Sequence, residues 1–157
     1  MNRCVIKSPV GNIGINEADG KILAIQFTDD KLEEPNTDSL SNAVLELSEY
    51  FEGSRKVFDM VLEPEGTDFQ QKVWNKLISI PYGTTISYLE LANQLGDPKT
   101  IRAAASANGK NPLAIVIPCH RVIGSDGSMT GYASGIEKKR SLLQIEGAPI
   151  MSQMNIF

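Results

Sequence analysis

Histidine and cysteine are almost missing from this chain of 157 residues: His120 is the single histidine, and Cys4 and Cys119 are the only cysteines. Two thiols and one imidazole cannot supply the four ligands of an ordinary Cys/His zinc site, so no metal is expected. A disulfide scaffold is not expected in a reducing compartment. No apolar run approaches the roughly 18 residues of a membrane span, and the N-terminal stretch lacks the long apolar segment of a secretory signal. The expectation is a soluble, cytoplasmic protein with no membrane partner. Positive charge is not in excess either: the net charge is −4, which taken whole speaks against a nucleic-acid binder. Apolar residues at 41% and charged residues at 22% are globular averages, which argues against wholesale disorder.

The charge is unevenly spread. Residues 1–66 hold 6 Lys and Arg against 13 Asp and Glu, a net −7, whereas residues 67–157 hold 9 against 6, a net +3. The sign changes at Glu63-Pro-Glu-Gly66, a linker by composition. Two parts are therefore expected, an acidic α/β N-terminal domain over 1–66 and a mostly helical domain over 67–157, within an α/β (α+β) fold class.

Local signals fill in the elements. Ile13 and Ile15 alternate with small or polar residues, Asp19-Gly20 marks a turn, and Ile22, Leu23, Ile25 and Phe27 follow, which predicts a hairpin. Leu40, Val44, Leu47 and Phe51 recur at helical spacing up to Gly53. Alternation over 57–62 suggests a strand. Thr67 with Gln70, Ser87 with Glu90 and Ser134 with Glu137 each read as capping boxes opening helices. Gly96 suits the position just past the helix that Ser87 opens. Asp97 with Pro98 opens another helix, from about 99 to 108, with Gly109 past its end. The helices on either side of Gly96 form either a helix-turn-helix or an ordinary helical hairpin. The second of them carries Ala103, Ala104, Ala105, Ser106 and Ala107, small residues that allow close approach to a core or to a DNA minor groove. The continuous apolar run 113–117 reads as a short buried strand. The helix after Ser134 would end at Gly147, and the tail from Ala148 is expected to be unstructured.

Cys119 follows that strand and stands beside His120 and Arg121. Cationic neighbours lower a thiol's pKa, and a Cys activated by a His is a recurring nucleophile; a buried structural Cys is the alternative. Cys4 lacks such neighbours and reads as inert. Any His-dependent proton transfer must use His120, unless it is simply a surface or core histidine. Arg121 suits either a phosphate or an acid partner. Glu146 sits where a carboxylate opposes the helix dipole, and is either solvated or held by a histidine proton. Asn111 is a loop residue or an orienting donor. Tyr88 is a core ring or a proton-donating phenol. Tyr132 is a surface ring or one wall of a pocket for a flat ligand.

These residues together carry a resemblance. Asn111-Pro-Leu-Ala-Ile-Val-Ile-Pro-Cys-His-Arg-Val-Ile-Gly124 resembles the active-site signature of the O6-alkylguanine-DNA alkyltransferases, the methylated-DNA–protein-cysteine methyltransferases. The likeness continues through Pro81-Tyr-Gly-Thr-Thr-Ile-Ser-Tyr88, Gly96-Asp-Pro-Lys-Thr-Ile-Arg102, Gly131-Tyr132 and Leu142-Leu-Gln-Ile-Glu-Gly147. It implies a small ribonuclease H-like N-terminal domain, then a winged-helix-like domain with a helix-turn-helix. It implies direct repair of O6-alkylguanine, and less efficiently O4-alkylthymine, in double-stranded DNA by a monomer without a cofactor. Cys119 would be the alkyl acceptor, with Glu146, His120 and a water generating its thiolate and Asn111 supporting the turn. Tyr88 would protonate the departing guanine. Arg102 would fill the space of the flipped nucleotide, with Ala103 and Thr100 on the same recognition segment and Arg121 also placed among the DNA-binding residues. Tyr132, Ala133 and Ser134 would line the base pocket, Ala133-Ser134 standing where many members have Ser-Gly. Two other classes compete, a multiple-turnover Cys-His hydrolase or acyltransferase and a non-catalytic DNA-binding regulator.

Overall fold

The computed structural model of the protein describes residues 1–129 and 131–149; the tail expected beyond them, 150–157, lies outside the described residues. The chain divides into two compact units: Met1–Glu65 joined by Pro112–Val116, and Gly66–Asn111 joined by the chain from Ile117 onward. Among the described residues no helix is long and apolar enough to cross a membrane.

In the first unit an antiparallel sheet runs in the order β1 (Asn2–Ile6), β2 (Ile13–Ala18), β3 (Lys21–Phe27). The expected hairpin forms at Asp19 and Gly20, whose φ values of 53° and 81° match the two left-handed positions of a tight hairpin turn. Helix α1 (Asp38–Glu52) is capped by Thr37, whose hydroxyl accepts from the Leu40 amide, and stopped by Gly53 at φ 85°. It turns Leu40, Ala43, Leu47 and Tyr50 inward, and the sheet contributes Cys4, Ile13, Ile15, Ile22 and Ile25, all buried.

The segment 57–62 does not form the expected strand. Glu46, buried on α1, takes the amide hydrogens of Asp59 (2.8 Å) and Met60 (3.2 Å) with one carboxylate oxygen. Those donors are thus spent on a side chain, and only Leu62 bridges to Ile22. The run 113–117 is buried as expected except at half-buried Ala114, but it is not a strand. Leu113 alone bridges Ile25, and Ile115 then turns the chain at φ 73°, a left-handed conformation that β-branched residues seldom adopt.

In the second unit the capping box at Thr67 and Gln70 forms in full and opens α2 (Asp68–Ile78); such a cap contributes about 1 kcal/mol. Ser87 caps α3 (Tyr88–Gln94), and the chain passes Gly96 at φ 100°. Asp97 accepts from the Lys99 amide, so a tight turn over Pro98–Thr100 leads into α4 (Ile101–Gly109). Ala104 and Ala107 are the buried small residues of α4 and let it pack closely; the Trp74 indole on α2 donates to the Ala107 carbonyl at 2.9 Å. Ser134 does not cap α5 (Ile136–Glu146): the chain enters the helix through Gly135 at φ 103°, which shifts the N-cap to a residue with no side chain. Gly147 ends α5 at φ 71° as expected, but Ala148 beyond it is buried with Met129 and Leu143. A parallel pair unforeseen in the sequence, β4 (Ile86–Ser87) with β5 (Val122–Ile123), fixes the start of α3 beside the strand that leaves Cys119.

Candidate active site

Cys119 opens one tight 3-10 turn, Cys119–Arg121, that follows Pro118. Two bonds converge just before it: the Cys119 amide donates to the Ile117 carbonyl at 2.8 Å, and Asn111 Nδ2 donates to the same oxygen at 2.7 Å. Asn111 also hydrogen-bonds the thiol. Cys119 as a residue is 6% exposed. Burial pushes its pKa up, while the Asn111 bond and the Lys139 ammonium work in the other direction.

His120 is fully buried, and its Nε2 lies 2.6 Å from Glu146 Oε2. Burial pushes the imidazole pKa below its ordinary value against the pull of Glu146, so the ring is neutral at pH 7. Burial works to raise the Glu146 pKa, but its bonds with His120 and Arg121 prevail and hold it down at about 2. An ionised carboxylate only accepts, so Nε2 carries the imidazole proton and donates it. Nδ1 is left as a lone pair, buried and without a protein partner among the described residues. That pairing is the orientation a general base requires.

Arg121 completes the cluster. Its Nε and Nη2 donate to the two Glu146 oxygens at 2.8 and 3.1 Å, and Nη1 donates to the Ile80 carbonyl at 2.7 Å. The Gly83 amide adds a fourth donor to Glu146 at 3.2 Å. Arg121 was grouped in the sequence with residues facing DNA. It is instead buried at 5% exposure with its guanidinium engaged inside the unit.

Lys139 also belongs to this cluster. It is fully buried on α5, donates from Nζ to the Val122 carbonyl at 2.6 Å and stands 5.6 Å over the Tyr88 ring. Burial pulls its pKa down to about 8, against the charge of Cys119. Tyr88 and Tyr132 have pKa values raised by burial and then by the Cys119 charge, which places both phenols in the field of the sulfur.

Two family models divide the chain between them. Residues 68–148 match the DNA-binding domain of 6-O-methylguanine DNA methyltransferase, and residues 1–64 match its ribonuclease-like domain. The chain belongs to the 6-O-methylguanine DNA methyltransferase family. It is 43% identical to the methylated-DNA–protein-cysteine methyltransferase of Methanosarcina acetivorans, over 94% of this chain and 99% of that one. The Mycobacterium tuberculosis protein of the same name is 49% identical over 78% of this chain and 74% of its own. The crystal structure of Mycobacterium tuberculosis O6-methylguanine methyltransferase superposes with a TM-score of 0.85 at 41% identity, covering 98% of each chain. That of Mycobacterium tuberculosis OGT in complex with DNA gives 0.86 at 42% identity, covering 95% of this chain and 96% of that one.

In this family member the remaining residues singled out by sequence are exposed or half-buried, and the Tyr132 hydroxyl itself is buried. Arg102 and Ala103 are exposed on α4, with Thr100 half-buried at its start. Ala133 and Ser134 are exposed and Tyr132 is half-buried. Among the described residues no group of three or more His, Cys, Asp or Glu is arranged to hold a metal. Sequence reasoning missed Lys139. Its signal was helical phase: 139, 142, 143 and 146 share one face of α5, so a buried Glu146 implies a buried Lys139.

Proposed function

We propose that the protein repairs O6-alkylguanine in duplex DNA by moving the alkyl group onto Cys119. The observation that supports this most directly is the line from ionised Glu146 to neutral His120 beside a thiol that Asn111 and Lys139 favour as thiolate. In the step proposed, the thiol proton is relayed to Nδ1 of His120. The sulfur lone pair forms the S–C bond to the alkyl carbon, and the C–O bond breaks with its electrons going to guanine. Tyr88 supplies the proton that guanine takes up. The product is a thioether, and no group of the site is suited to cleave it, so one molecule repairs one lesion.

The target carbon is inside the duplex, so the nucleotide must be extruded at a cost of a few kcal/mol. Arg102, exposed near the start of α4, fills the space it leaves, and Ala103 and Thr100 run along the groove beside it. Tyr132, with Ala133 and Ser134, forms the pocket for the base. Arg121 serves by orienting Glu146, not by touching phosphate. The second unit is the DNA-binding and alkyl-acceptor domain, the acidic first unit is its scaffold, and the protein acts as a cytoplasmic monomer.

The test is intact-mass measurement after incubation with a duplex bearing O6-methylguanine. The expected result is a gain of one methylene on Cys119, saturating at one per molecule. Turnover without an adduct favours a hydrolase, and binding without reaction favours a regulator; either outcome overturns the proposal. A second measurement compares substrates. Arg102→Ala is expected to slow duplex repair at least tenfold while leaving reaction with free O6-alkylguanine base within about twofold, because only the duplex requires extrusion.

A further inference from the structure

The relay through His120 needs Glu146 ionised and in place, and residues 80–83, between α2 and β4, close over that carboxylate and its arginine. The Ile80 carbonyl takes Arg121 Nη1 at 2.7 Å, and the Gly83 amide donates to Glu146 Oε1 at 3.2 Å. Gly83 stands at φ 78°, and a Cβ there would come 3.1 Å from the Glu146 carbonyl, so glycine brings that amide in without strain. Tyr82 lies between these two anchors in the chain. The Arg121 guanidinium carbon is over its ring, 5.7 Å from the centroid, and its hydroxyl donates to the Ile145 carbonyl at 3.4 Å.

The two contacts of Tyr82 are unequal. A hydroxyl bond of 3.4 Å is well beyond the usual range of about 2.5–3.0 Å and holds little. A cation over an aromatic face is attracted by the ring, and more so when it is desolvated. Arg121 is 5% exposed and Glu146 6%, whereas Tyr82 is half-buried. The tyrosine thus reaches the surface and the ion pair does not. Burial and then the charge of Glu146 raise the Tyr82 pKa, against the charge of Arg121, so the phenol stands in the field of both. An ion pair attracts far more strongly where water is excluded. The hold of Arg121 on Glu146 in turn keeps the carboxylate 2.6 Å from His120 Nε2.

We propose that Tyr82 is a positioning residue: its ring seals the Arg121–Glu146 ion pair from water and so keeps the carboxylate on His120. The proposal rests on the alkyl-transfer reading for its effect on rate, but the hold on His120 is measured apart from any reaction.

His120 is the single histidine and Trp74 the single tryptophan, so in nitrogen-labelled full-length protein each side chain is assigned without ambiguity. Exchange of the His120 Nε2 proton with water reports the seal. The Trp74 indole, buried on α2 with its proton on the Ala107 carbonyl, reports general opening. In Tyr82→Ala the imidazole proton is expected to exchange about tenfold faster with the indole unchanged, a local opening only. Tyr82→Phe, which keeps the ring, is expected to restore slow exchange. Tyr82→Leu, an apolar plug without an aromatic face, should fall between the two and carries the test if the Ala variant does not fold. An imidazole proton unmoved in both variants without a ring, no such resonance in the unaltered protein, or an equal speeding of the indole each overturns the proposal. Failure of Tyr82→Phe to restore it assigns the effect to the hydroxyl and also overturns it. Single-turnover methyl transfer from an O6-methylguanine duplex is expected to slow about tenfold at pH 7 in Tyr82→Ala, a part of what a general base contributes. That loss should shrink as pH rises, because the thiolate then forms without His120; a loss that is constant with pH overturns the action through His120. Absence of any methyl adduct on the unaltered protein counts against the proposed function and leaves the exchange result to decide the role of Tyr82.

Discussion

Cys4 lies in the first unit on β1, fully buried, with Glu33 and Glu34 close enough to act on it; Cys119 lies in the second, 6% exposed, with Asn111 and Lys139 close to it. Burial raises the pKa of both thiols. At Cys4 the two glutamates add to that rise, against Arg3, and the thiol is pushed up to about 11. At Cys119 the neighbours oppose it. The buried carboxylates of the two units differ in the same way. Glu46 holds the amides of Asp59 and Met60 and the Asn42 amide, whereas Glu146 holds His120 and Arg121. A buried acid that ties down backbone is scaffold. A buried acid that fixes the tautomer of the lone histidine prepares chemistry. Burial alone therefore does not distinguish site from core, nor does an arginine, since Arg55 stands 3.9 Å from Glu46 as Arg121 stands by Glu146; the histidine held by Glu146 does.

The largest effect that could break this contrast is expected at the sulfur. Cys119→Ser should reduce methyl uptake from an O6-methylguanine duplex to background, with the mass of the protein unchanged. A methyl group found on Cys4 would refute the contrast outright. Next is Glu146→Gln. It removes the acceptor that sets the His120 tautomer and leaves Arg121 buried without its counter-charge. Methyl transfer should slow about hundredfold, and urea unfolding should show a loss of about 3 kcal/mol. The pH dependence has a fixed sign. A carboxyl held down contributes stability that is full above its ordinary value of 4.5 and is lost as pH falls toward about 2. The stability gap between the protein and the Gln variant should therefore narrow across that window.

Lys139→Met keeps the length of the stem and removes the ammonium. Methyl transfer below pH 8 should slow about tenfold, and the rate profile should move to higher pH because the thiolate loses the cation whose charge favours it. Stability should rise with pH as it does for Glu146, but in a separate and more alkaline window. Burial depresses the lysine, so between about 8 and its ordinary 10.5 the unfolded chain binds the extra proton and folding gains as pH rises. In the Met variant that rise should be absent from urea melts taken across the same range.

The local parts of this arrangement were legible in sequence because their causes are local. Asp19-Gly20 made the hairpin, and Thr67 and Ser87 capped the helices they precede, through side chains that reach backbone three residues on. Ser134 misled because cap geometry depends on the backbone entering the helix, and Gly135 takes that position. The segment 57–62 misled because its amide donors are captured by Glu46, thirteen residues away from the first of them. In the site, the adjacency of Cys119, His120 and Arg121 was visible, Glu146, Tyr88 and Asn111 stood out with structural alternatives beside them, and the family likeness assigned their roles. Arg121 was left between a phosphate and an acid partner, then grouped with the DNA-binding residues, and Lys139 was passed over, for one reason: a cation in sequence looks solvated until its distant partner is known. The carbonyls of Ile80 and Val122, which receive these two cations, are backbone atoms that no side-chain pattern announces.

The smallest effect is expected at Cys4. With its pKa near 11, on the order of a thousandth of this thiol is ionised at pH 8, and the sulfur is fully buried. Iodoacetamide labelling of the folded protein at pH 8 should modify Cys119 alone, read by peptide mass mapping. Cys4→Ala removes one sulfur from the core between α1 and the sheet, so urea melts should show a loss of about 1 kcal/mol, the low end of what a small buried deletion costs. Methyl transfer should stay within twofold of the unaltered protein, because no proposed step draws on the first unit. A larger fall in rate at unchanged stability would show that this unit contributes to the chemistry and is more than scaffold.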